Sequence, residues 1–195
     1  MINYFEDVVN IISHSVRSID EKCFEELTEE CAKTLKSGHK IVASGLGKNA
    51  SICEKFVGTM NSIGLPSWFL NTNSALHGDL GCITAGDLVI LLTKSGCTQD
   101  SVSLYNHLES KNVNIWLVSY MQESVLAKRT SKKIIIELPH EGDPWNIVPN
   151  NSSTVNLIML QAVAMNVLEK MDISKDVFKK NHPGGHIGAT LNGKI

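Results

Sequence analysis

The chain has no CxxC pair and no even set of cysteines. Cys23, Cys31, Cys53, Cys82 and Cys97 lie scattered through 195 residues. An odd, dispersed set excludes a disulfide framework and fits reduced thiols in a cytosol. Long apolar runs are missing too: the longest carry Asn, Gln or Ser and are too short to cross a bilayer. The opening Met-Ile-Asn-Tyr-Phe-Glu-Asp carries acidic residues and no signal-peptide pattern. Basic charge is not in excess. Eighteen Lys and Arg face 20 Asp and Glu, a formal net charge of -2, which argues against a nucleic-acid surface. No repeat, low-complexity tract or proline-rich linker marks a domain boundary. The length suits one α/β domain with a real core.

What is present is an alternation of strand and helix patterns. Phe5, Val8, Val9, Ile12, Val16, Ile19, Cys23, Leu27, Cys31 and Leu35 recur every three or four positions. This spacing predicts helix over the first thirty-five or so residues, with Gly38 as its C-cap. Strands are predicted at Lys40–Ser44, Ser67–Leu70, Leu88–Thr93, Asn114–Ser119 and Lys133–Leu138. Helices are predicted at Lys48–Ser62, Thr98–Ser110, Ser124–Thr130 and Ser153–Met171. The last of these is apolar almost all round from Val155 to Leu168, which predicts burial on most sides and, in so small a domain, a subunit interface. The pattern implies a doubly wound, mostly parallel five-stranded sheet flanked by helices in three layers. Ligands then bind outside the carboxyl ends of the strands.

Two strand-to-helix junctions are rich in small residues. The first runs Ser44-Gly45-Leu46-Gly47-Lys48-Asn49-Ala50-Ser51, the second Thr93-Lys94-Ser95-Gly96-Cys97-Thr98. Such junctions expose N–H groups and hydroxyls beside the positive end of a helix dipole, and they suit phosphate. A third set, Ser152-Ser153-Thr154, sits at the start of the last long helix. Plain N-capping is the alternative for each set. Gly45-x-Gly47-x-x-Ala50 also matches the dinucleotide fingerprint loosely. That reading needs a carboxylate at the end of the second strand, and the sequence there is Trp68-Phe69-Leu70-Asn71. His182 and His186 are four apart, but Pro183-Gly184-Gly185 between them breaks a helix that would align them. Neither a metal nor another cofactor is expected.

Five loops together resemble the sugar-isomerase (SIS) domain family. They are Gly45-Leu46-Gly47-Lys48, Ala75-Leu76-His77-Gly78-Asp79-Leu80-Gly81, Ser95-Gly96-x-Thr98, Pro149-Asn150-Asn151-Ser152-Ser153-Thr154 and His182-Pro183-Gly184-Gly185-x-Ile187-Gly188. The resemblance covers nearly the whole chain. It is nearest to the D-arabinose-5-phosphate isomerases of bacterial Kdo synthesis, for lipopolysaccharide or capsule. Many members continue into a pair of CBS modules. The end at Ile195 points to a single-domain form.

The resemblance implies an aldose–ketose isomerase acting on a phosphorylated sugar through an enediol, in a cytoplasmic homotetramer with shared active sites. Its alternatives are a non-catalytic sugar-phosphate sensor and an isomerase for another phosphosugar, such as a hexulose 6-phosphate. The implied catalytic residues are Glu141, His182, Lys48 and Asp100. Isomerisation needs a base near the carbon and an acid or second base at the oxygens. Histidine as a residue type changes charge near neutral pH, which suits His182 to ring opening or proton carriage. The implied substrate contacts are Gly45, Gly47, Ser51, His77, Asp79, Ser95, Gly96, Thr98, Ser152, Ser153 and Thr154. His182, near the end of the chain, is expected to enter a neighbour's site. The chain departs from the family in three places. Asp100 stands where a Glu is typical, Gly-Lys-Asn-Ala replaces Gly-Lys-Ser-Gly, and Asn150-Asn151 lengthens the approach to the Ser/Thr set.

Overall fold

The computed structural model describes residues 2–193. Strands β1 (Ile41–Gly45), β2 (Ser67–Asn71), β3 (Leu88–Leu92), β4 (Asn114–Ser119) and β5 (Lys133–Ile135) form one all-parallel sheet in the order β2-β1-β3-β4-β5. The helices are α1 (Ile2–Arg17), α2 (Glu21–Lys36), α3 (Lys48–Ser62), α4 (Gln99–Glu109), α5 (Val125–Arg129), α6 (Asn151–Lys170), α7 (Lys175–Asn181) and α8 (Gly185–Leu191). Side chains alternate across the central strands. Ile41, Ala43, Leu88, Ile90, Leu92 and Trp116 join the core under α2, α3 and α6. Val42, Val89, Leu91 and Leu117 join the core under α4 and α5. Both faces are covered, so β1 and β3 are buried throughout, as a parallel sheet requires.

The single N-terminal helix predicted from periodicity is in fact two. The amides of Ser18 and Ile19 turn back onto the carbonyls of Ser15 and Val16. Asp20 then adopts an extended conformation, and its carboxylate accepts the Cys23 amide at 2.7 Å. It caps α2 as a short acidic side chain can. The apolar period runs through the break because Val16, Ile19 and Cys23 all face the same core. Helix α6 is buried on most sides, as its pattern predicts. It packs on α1, α2 and α3 inside the subunit, with Val155, Met159, Leu160, Val163 and Val167 buried, while Met165 stays exposed. Much of its all-round hydrophobicity reflects a central helix. Helices α7 and α8 flank the His182-Pro183-Gly184 segment, which the sequence pattern predicts only as a turn.

β1 and β3 are adjacent, yet the chain leaves them in opposite directions, to β2 and to β4. Their carboxyl ends therefore form the switch point of the sheet, where a crevice opens. The register aligns Gly45 with Leu92 across that point.

Candidate active site

A cavity of about 240 Å³ lies at this switch point. Its wall includes Gly47, Lys48 and Asn49 from the start of α3, and Lys94, Ser95, Thr98 and Ser101 from the β3–α4 junction. Pro149, Ser152 and Asn156 close it from the α6 side. Sequence dictates both junctions. A Cβ at Gly45 would lie 2.7 Å from the Cβ of Asn49, so only glycine lets α3 start this close to β1. Gly96 has φ +61°, and a Cβ there would meet the Ser124 hydroxyl at 2.2 Å. The Gly96 amide donates to Thr93 Oγ1 at 3.2 Å, and the Cys97 amide to Ser95 Oγ at 3.3 Å. Ser95 and Thr98 bring their hydroxyls to 3.3 Å of each other at the N-terminus of α4. The helix dipole and two hydroxyls converge on one wall of the cavity, the arrangement that receives an anion.

The N-terminus of α6 is different, because a carboxylate of the chain itself already fills it. Glu141 is fully buried. One of its oxygens accepts the amides of Asn150 (3.1 Å) and Ser152 (2.9 Å). The other accepts the Ser152 hydroxyl (2.6 Å) and pairs with Lys94 Nζ at 2.5 Å. Burial alone would push the Glu141 carboxyl up. The Lys94 ammonium, the Ser152 hydroxyl and the two amides outweigh it and hold the group below the usual carboxylate range. Tyr120 donates its hydroxyl towards the Ser152 carbonyl and Asn156 Oδ1. Asn156 in turn donates to Asn49 Oδ1 at 3.0 Å and ties α6 to α3 at the cavity floor.

The expected site residues are therefore divided. Gly47, Lys48, Ser95, Thr98 and Ser152 line the cavity, with Gly45 and Gly96 shaping its two junctions. Ser152 does so with both donors spent on Glu141, so it presents lone pairs and does not serve as an anion donor. Ser153 and Thr154 donate their hydroxyls back to the carbonyls of Pro149 and Asn150. They sit outside the cavity wall, and the Ser/Thr set behaves as local helix-start chemistry. Glu141 is a sealed carboxylate behind the wall. Ser51 and Asp100 are exposed residues of the first turns of α3 and α4, outside the lining. His77 and Asp79 lie on an exposed turn, where Asp79 accepts the Ser74 hydroxyl.

His182 is far from the cavity of its own chain. Its ring stacks on Phe178 with centroids 4.0 Å apart, and Nδ1 lies 2.8 Å from the Phe178 carbonyl. Its neighbour Asn181 donates to the Ser62 carbonyl at the end of α3. Lys48 begins that same 15-residue helix, so the two residues stand about 20 Å apart. Sequence reasoning missed Lys94 and Ser101 as lining residues. Lys94 gave no periodic signal, and Ser101 read as part of a helix.

A cavity at the switch point of a doubly wound sheet, walled by the starts of two helices, is where α/β domains of this class take their ligands. Residues 34–166 match the SIS domain family, and the chain belongs to that family. It is similar to an uncharacterized protein of Chlamydia trachomatis, with 34% identity over 100% of this chain and 58% of that protein. It is similar to arabinose 5-phosphate isomerase KdsD of Yersinia pestis, with 29% identity over 95% of this chain and 57% of the relative. Among solved structures it resembles the E. coli CFT073 protein c3406 in complex with arabinose 5-phosphate. The TM-score is 0.81 and the identity 28%, over 93% of this chain and 97% of that one. The chain spans little more than half the length of the curated relatives it matches.

Proposed function

We propose that this chain interconverts the aldose and ketose forms of a phosphorylated pentose, D-arabinose 5-phosphate and D-ribulose 5-phosphate, as a step towards Kdo for lipopolysaccharide or capsule. The observation that carries the reading is the cavity itself. Two helix N-termini, the hydroxyls of Ser95 and Thr98 and the side chains of Lys48 and Lys94 surround a space of about 240 Å³. That space accepts a phosphate at the α4 side and leaves the rest of the sugar against α3. The named relatives support the choice of substrate.

The reaction moves one proton between adjacent carbons. A base takes the hydrogen from C2 of the aldose, and the C1 carbonyl oxygen gains a proton, which gives the enediol. Protonation at C1 with loss of the C2 hydroxyl proton gives the ketose. Lys48, a lining residue at the start of α3, is assigned the developing oxyanion. His182 is assigned the proton transfer and is supplied by a neighbouring copy, since its own cavity is a helix length away. Asp100 is a second acid–base candidate, exposed in the first turn of α4. The proposed assembly is a cytoplasmic homotetramer. Tyr4, Phe5, Val9, Trp145, Ile147 and Val148 leave apolar surface for such contacts.

A second reading, a sugar-phosphate sensor, is favoured by one observation. Among the described residues, no carboxylate lines the cavity. A coupled isomerase assay on D-arabinose 5-phosphate, beside calorimetric binding of the same sugar, separates the two. Binding with turnover supports the isomerase. Binding without turnover makes the chain a sensor, and no binding removes both.

A further inference from the structure

The geometry points to Lys94 and Ser101 as substrate-contacting residues that set the affinity of this cavity for phosphate, with Glu141 as the positioning residue that aims Lys94. This rests on the phosphosugar reading above and deepens it.

The Lys94 backbone is fixed first. Its carbonyl accepts the Tyr120 amide at 3.2 Å and the Ser119 hydroxyl at 3.1 Å, so the turn after β3 is tied to the end of β4. Its side chain is fixed next, by the buried Glu141 carboxylate at 2.5 Å. An ammonium carries three hydrogens. Glu141 takes one, and two remain on the cavity side. The carboxylate sits behind the wall, under the first turn of α6. Although the pair is neutral, its positive end therefore faces the cavity. The Lys94 side chain is about two-fifths exposed, whereas Glu141 has no exposure. Lys94 also lines the cavity and Glu141 does not, so a ligand there meets the first and not the second.

Ser101 supplies an independent observation. It lines the same cavity and is 1% exposed, and its hydroxyl has no hydrogen-bond partner among the described residues. A buried hydroxyl without a partner is costly, and native structures rarely keep one without a use. A tetrahedral oxyanion seated between Ser95, Thr98 and Lys94 gives it an acceptor.

The test is calorimetric titration of the full chain with inorganic phosphate and, separately, with D-arabinose 5-phosphate. The variants are Lys94→Met, Lys94→Arg, Ser101→Ala and Glu141→Gln, with melting temperatures measured alongside. Lys94→Met is expected to weaken phosphate binding about ten-fold or more, as loss of a charge-assisted hydrogen bond does. Lys94→Arg should recover part of it. Ser101→Ala should weaken binding several-fold while its melting temperature stays level or rises, which a structural role would not produce. Glu141→Gln should lower phosphate affinity without touching the ligand. Wild-type affinity in both Lys94→Met and Ser101→Ala overturns the proposal, as does a wild-type protein that binds no phosphate. If Lys94→Met does not fold, Ser101→Ala and Lys94→Arg decide it. Phosphate binding that follows this pattern without any turnover upholds the inference and removes only the isomerase.

Discussion

Ser152 gives both its amide hydrogen and its hydroxyl hydrogen to Glu141, at 2.9 and 2.6 Å. The pair closes the N-terminus of α6 from within. Ser152→Ala leaves a buried carboxylate short of one donor. It should cost about 1.5–3 kcal/mol of stability. Thermal unfolding should show a drop of about 2–4 °C for each kcal/mol in a chain of this size. Phosphate affinity should change far less than stability.

Ser95→Ala should show the opposite balance. Among the described residues its hydroxyl meets only Thr98 Oγ1 and the Cys97 amide, both at 3.3 Å. Removing it should leave the melting temperature nearly unchanged and weaken phosphosugar binding by about 1.5–3 kcal/mol, read by calorimetry. Equal losses in stability and binding would return Ser95 to a plain capping role.

His182→Asn and Lys48→Ala should each abolish most isomerase activity, since acid–base groups contribute about 10²–10⁴ in rate. Because Lys48 begins α3 and the segment carrying His182 is tied to the other end of that helix, mixing the two inactive proteins should restore part of the activity through sites that draw one intact residue from each copy. Mixed oligomers that stay inactive would place His182 outside the mechanism. A stable monomer in light scattering at micromolar concentration would remove the shared site altogether.

Acid should destabilise the fold through Glu141 and Asp87. Burial pushes the Asp87 carboxyl up, but the Lys40 ammonium and the Thr84 amide and hydroxyl hold it below its ordinary 3.8. Glu141 likewise lies below its ordinary 4.5. With folded values depressed, the unfolded chain takes up these protons first as pH falls. Stability is full above about 4.5, declines below it, and the contribution is gone once the folded carboxyls are protonated. Chemical denaturation between pH 6 and 3 should show this slope in the wild type. The double variant Glu141→Gln, Asp87→Asn should show a shallower one.

Leu160→Ala should destabilise by about 2–5 kcal/mol, because the side chain is enclosed between helices of its own subunit. Met165, on the same helix but 42% exposed, should tolerate alanine within about 0.5 kcal/mol. A comparable loss at Met165 would mean that another chain covers that face.

The sequence alone determined the order of the five strands and of the helices that connect them, from β1 to α6. Apolar runs such as Leu88–Leu92 and the glycines at 45, 47 and 96 act locally, through periodicity and backbone sterics, and local chemistry is written residue by residue. The family followed from the same loops, because their small residues must recur wherever a backbone approaches an anion. The break at Asp20 was masked, since two helices that face one core share one apolar rhythm. Only the tertiary structure decided what the polar residues do. Glu141 reads as a loop carboxylate, yet packing brings it under α6 and against Lys94, 47 positions earlier. Ser101 reads as an ordinary helical serine, yet the sheet's switch point turns its hydroxyl into an unpaired donor at the cavity. A buried polar group takes its role from the partners it finds, and those come from chain segments that meet only when the sheet closes.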